Sequence, residues 1–156
     1  MNTFKPVRSF VLLITFVLAS LVTSQAFAGS VTLNLNRVSL TNVPDAAGTW
    51  QHEGGTISKG ATVIGNYAAH RRVTTGGTIA QNTAMETMTL FFTVATAAPA
   101  PQNITLEGAH SFNTGGFMGS VSASSDRYAW IRGASATVTA ATSLTITWLG
   151  GALTLP

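Results

Sequence analysis

The sequence predicts an all-β fold, an antiparallel barrel of about eight strands closed on itself. Short runs of Val, Ile, Thr and aromatic residues recur along the chain, alternating apolar with polar. Clusters of Gly, Asn, Ser and Pro separate them, and no heptad or helical stripe competes. Closure follows because it removes the exposed strand edges that an open sheet of short strands would leave.

The first 28 residues stand apart from this pattern. Lys5 and Arg8 precede an almost unbroken apolar run over residues 9–23, and Ala26-Phe27-Ala28 follows. A basic start, an apolar stretch and small residues at the cleavage position describe a secretory signal peptide. The run is shorter than the roughly 20 apolar residues of a spanning helix. Cleavage is expected after Ala28, leaving residues 29–156 as one barrel domain. The destination is then extracytoplasmic, either periplasmic or secreted. The absence of Cys fits a bacterial exported protein better than a small disulfide-built secreted domain.

Within residues 29–156 six basic residues face five acidic ones, a net charge of +1. The pI near 10 of the whole chain therefore does not mark a basic surface, and nucleic acid is not an expected partner. Charged residues make up 8% of the chain, against about 25% in average proteins, so a membrane barrel has to be weighed. Several strand candidates fall short of the about 9–11 residues needed to cross a bilayer. The faces opposite the apolar positions carry Thr, Ser and Asn. No membrane association is expected once the signal peptide is gone.

Taken in order, residues 31–36 alternate strictly, with Val31, Leu33 and Leu35 on one face. A loop is expected around residues 42–48, then a weak strand at 49–53 ended by Gly54-Gly55. Residues 61–74 form a longer strand candidate with Gly76-Gly77 as its turn. Residues 85–96 place Met88, Leu90, Phe92 and Val94 together. Pro99 and Pro101 make the next stretch a loop, since neither can donate to a ladder. Strands follow at 103–110, 117–123, 127–138 and 143–149. Leu90, Phe92, Ile104, Leu106, Phe117, Leu144, Ile146 and Trp148 are the expected core.

From Glu86 onward the order of signals resembles the dirigent and allene oxide cyclase barrels. The resemblance rests on Met88-Thr89-Leu90-Phe91-Phe92, on Gln102-Asn103-Ile104-Thr105-Leu106-Glu107-Gly108 and on Gly115-Gly116-Phe117-Met118-Gly119, preceded by Gly65-Asn66-Tyr67. It covers roughly residues 65–138. It implies an eight-stranded, calycin-like barrel whose lumen is open at one end and holds a small hydrophobic or phenolic molecule. The fuller Gly-Gly-Thr-Gly-x-Phe pattern is missing, and no catalytic residue of the family aligns onto this chain.

Glu86 shares parity with Met88 and Leu90, and His110 with Ile104 and Leu106 unless Gly108 carries a bulge. Facing the lumen together, a carboxylate and an imidazole make an acid–base pair. The plainer expectation is that each lies solvated at a strand end. On a seventh strand Tyr128, Trp130 and Arg132 would share a face, the arginine holding an acidic ligand group between aromatics. The plainer version puts Trp130 in the core and Arg132 at the rim. Arg71 and Arg72 point to opposite faces and are expected at a solvated end.

His52, His70 and His110 lack ligand spacing, so neither a metal nor another cofactor is expected. The glycine pairs sit at turns without a following helix, and no serine-hydrolase elbow occurs. The leading expectation is a non-catalytic exported barrel holding one small, mostly apolar or phenolic ligand, with polar contacts from Glu86, His110 and Arg132. One alternative is a dirigent-like or cyclase-like enzyme using Glu86 or His110 with Arg132. The other is a structural protein that self-assembles through its Thr-, Ser- and Gly-rich outside, a homo-oligomer with little charge repulsion.

Overall fold

The computed structural model describes residues 28–46, 48–73, 83–93 and 102–156. The expected signal peptide, up to residue 27, the Gly76-Gly77 turn, Val94 and the Pro99–Pro101 loop lie outside them. Eight strands run in chain order: β1 (Ala28–Asp45), β2 (Gly48–Lys59), β3 (Thr62–Val73), β4 (Thr83–Phe92), β5 (Gln102–Ser111), β6 (Gly116–Ser124), β7 (Ser135–Thr139) and β8 (Ser143–Leu149). Each pairs antiparallel with the next. The barrel closes where β8 returns to β1, from Ala28 opposite Leu149 to Asn34 opposite Ser143.

Period-2 alternation sets the inside. Leu33 and Leu35 of β1, Leu90 and Phe92 of β4, Ile104 and Leu106 of β5, Phe117 of β6 and Leu144, Ile146 and Trp148 of β8 are all buried. The eight expected core residues are therefore all inside. Outward positions carry hydroxyls that pair across strands, Thr32 with Thr145 and Thr89 with Thr105, each at 3.2 Å.

Three boundaries differ from expectation. β1 and β2 run through the expected loop, pairing down to Asp45 opposite Gly48. Beyond Asn34 the β1 backbone no longer pairs with β8, so Pro44 lies on strand edge, where its missing N–H disrupts no central ladder. Gly54 and Gly55 lie inside β2 rather than ending it. A Cβ at Gly55 would run into the Asn36 carbonyl and the Tyr67 ring, so the residue marks close approach of neighbouring backbone and not a turn.

The third difference concerns residues 127–138. A 3-10 helix occupies Asp126–Ile131, and β7 starts only at Ser135. Gly133, at φ +81°, turns the chain between them. Alternate parity fails here because this segment crosses the end of the barrel instead of lengthening a strand. Tyr128 and Ile131 drop into the core there, Tyr128 edge-on to Phe92 with ring centres 5.6 Å apart. The Tyr128 hydroxyl donates to Gln102 Oε1 at 2.9 Å. One end of the barrel is thus stoppered by side chains. The other end carries the β1–β2, β5–β6 and β7–β8 turns.

Candidate functional site

Four adjacent strands send polar side chains into the lumen at the turn end. Register fixes who meets whom: Gln51 of β2 lies opposite Arg71 of β3, and Arg71 lies opposite Glu86 of β4. Opposite Glu86 stands Gly108 of β5, which offers no side chain, and His110 sits two residues further along. The Gly108 backbone packs so closely on β6 that a Cβ would run into the Met118 carbonyl.

Arg71 is the hub. Its Nε donates to Gln51 Oε1 at 2.9 Å, its Nη1 to Glu86 Oε2 at 3.0 Å and its Nη2 to Glu53 Oε2 at 2.6 Å. The second oxygen of Glu53 accepts from the Tyr67 hydroxyl at 2.8 Å. Nδ1 of His110 lies 2.8 Å from Glu86 Oε2. Glu86 is 2% exposed, Arg71 5% and His110 7%, so these are interior groups held by one another. Burial works against the Arg71 charge, but its hydrogen bond to Glu53 and the nearby Glu86 more than offset this and hold the guanidinium above its ordinary range. Burial first, then Glu53, pushes the Tyr67 phenol up, so Tyr67 remains a neutral donor.

Beside this network a cavity of about 240 Å³ opens at the turn end. Leu35, Met88, Phe112, Phe117 and Val138 supply its apolar wall, and Arg37 and Leu40 lie near its mouth. An engineered apolar cavity of about 150 Å³ takes benzene, so this volume suits a molecule of one or two rings. Phe112 stands edge-on to the His110 ring, with centres 5.0 Å apart, and fixes its plane.

The solvated placement expected for Glu86, His110 and Arg71 is therefore corrected. Parity holds through Gly108 without a bulge on β5, so Glu86 and His110 both face inward and meet. Arg71 shares the inward parity of Tyr67 and Ala69. The shared face expected for Tyr128, Trp130 and Arg132 does not form, because the 3-10 helix replaces the strand. Tyr128 plugs the opposite end. Trp130, 44% exposed, stacks edge-on to Trp148 outside the core, and it lines with Arg132 a separate surface cavity along β7 and β8. Arg132 does not join Glu86 and His110.

Gln51, Glu53, Tyr67, Arg71 and Arg37 were not among the expected site residues. Alternation along β3 could have pointed to Arg71, since Tyr67, Ala69 and Arg71 continue one face. The partners on β2 depend on inter-strand register, which the sequence does not display. His52 and His70 meet across β2 and β3 on the outer face, Nδ1 to Nδ1 at 2.6 Å, whereas His110 is inside. Among the described residues no three metal-ligating side chains come together.

No protein-family model matches this chain, and no curated protein does. Among solved structures it is similar to pyocyanin demethylase, at a TM-score of 0.56 and 12% sequence identity, over 76% of this chain and 98% of that one. That likeness is one of fold, a closed barrel.

Proposed function

We propose that this protein is an exported barrel that binds one small, mostly apolar or phenolic molecule in the turn-end cavity of its lumen. The observation that carries the reading is the buried Arg71–Glu86–His110 group beside the apolar wall of Leu35, Met88, Phe112, Phe117 and Val138. Burying such charges is costly, and well-packed apolar residues of like volume would often stabilise a core as well or better. Among the described residues no plug crosses the turn end of the lumen, and their placement there suggests a role in recognition. The order of signals shared with dirigent and allene oxide cyclase barrels supports the same reading. So does the likeness in fold to a protein named for acting on pyocyanin.

A second reading has its own support. A carboxylate bonded to an imidazole nitrogen is the arrangement that orients a histidine for proton transfer. Under it the barrel is an enzyme acting on the molecule it binds. Arg132, too distant from the network, has no part in either reading.

Amide NMR of the purified protein titrated with hydrophobic and phenolic compounds tests the binding site. Saturable shifts are expected at Gln51, Glu53, Arg71, Glu86 and His110. Shifts confined to the outer face, or none that saturate, contradict the proposal.

A further inference from the structure

We infer that the cavity selects hydroxylated aromatic molecules by their O–H group, with Nε2 of His110 as the acceptor. The inference rests on the lumen being the ligand site and goes beyond it by naming the group that is read. The inward polar groups of the network are largely spent on one another. Arg71 is divided among Gln51, Glu53 and Glu86, and Tyr67 is committed to Glu53. A ligand therefore meets few open polar atoms.

Two acceptors are left, Oε1 of Glu86 and Nε2 of His110, and His110 is the more exposed of the two residues, at 7% against 2%. Glu86, an ion-pair partner of Arg71, can only accept, so His110 Nδ1 carries the proton of their shared bond. In the neutral ring the lone pair then falls on Nε2, the ring nitrogen that does not face Glu86. The ring lines the cavity, and Phe112 stacks edge-on against it. An acceptor fixed in plane and position at an apolar wall matches a flat ring bearing one hydroxyl. It offers nothing to the same ring without a donor, and a polar site rejects the analogue that leaves its polar atom unpaired.

Three probes of one shape separate the claims: 1-naphthol, 1-methoxynaphthalene and naphthalene, titrated into the purified protein. 1-Naphthol is expected to bind about tenfold more tightly than its methyl ether, the worth of one hydrogen bond. His110→Phe keeps a ring against Phe112 and should abolish that preference, bringing 1-naphthol and 1-methoxynaphthalene to equal affinity. In the unmutated protein labelled with ¹⁵N-histidine, the Nε2 resonance of His110 should move with 1-naphthol and stay with the ether. This second measurement decides the matter even if the variant does not fold. Equal affinity for all three probes, a preference that survives His110→Phe, or an unmoved Nε2 overturns the inference while the lumen remains a ligand site. No binding of any probe overturns both.

Discussion

Arg71 has the largest consequences of any side chain in the lumen, because two carboxylates depend on it. Removing one member of a buried ionic group leaves the others charged and unpaired, at a cost of about 3–5 kcal/mol. Arg71→Met is accordingly expected to lower unfolding free energy by about that amount in urea melts at neutral pH. Adding Glu86→Gln should recover part of the loss, since one stranded charge goes with it. A single variant as stable as the parent contradicts the network's role. Tyr67 gives a pH test with a definite sign. Its phenol titrates higher in the folded chain than in the unfolded one, because of burial and Glu53. The stability it adds is fully present below the ordinary tyrosine range near pH 10 and drains away as pH rises beyond it. Tyr67→Phe should flatten the alkaline fall measured in melts above pH 10, and an unchanged slope contradicts the assignment.

Among the elements, β5 and the β7–β8 turn make the sharpest predictions. Gly108→Ala forces β6 off β5 beside His110 and should destabilise the protein, with the amide shifts concentrated on those two strands. In the turn, Ala140 and Ala141 hold φ of +51° and +59°, a region that costs a residue with a Cβ about 1–2 kcal/mol. Ala140→Gly relieves this and gives back some chain entropy, so a net gain of about 0.5–1 kcal/mol is expected from thermal melts. A loss would show the turn to be relaxed as it stands. Strands were legible in the sequence wherever apolar and polar residues alternate, as in Leu144-Thr145-Ile146-Thr147-Trp148. The alternation was misread over residues 127–138, because Tyr128 and Ile131 are buried by a plug crossing the barrel end. Glu86 and His110 were legible as inward by parity. Their partners were not, since Arg71 meets Glu53 and Gln51 only through a register that no local pattern encodes.

Among the described residues, the two barrel ends differ in what they hold. Tyr128, Ile131 and Trp148 fill one with side chains, while the other places charge beside an apolar hollow. The proposed export has its own check. Amino-terminal sequencing of the exported protein should begin at Gly29, and a chain retaining Lys5 and Arg8 contradicts cleavage after Ala28. The ligand site itself is tested most directly by a crystal structure of the purified protein grown with 1-naphthol. The account predicts one bicyclic ring in the turn-end cavity, against Leu35, Met88 and Phe117, with its hydroxyl in hydrogen-bond reach of His110. A ring seated only in the groove beside Trp130 and Arg132, or a turn-end cavity that stays without ligand at saturating 1-naphthol, would contradict it.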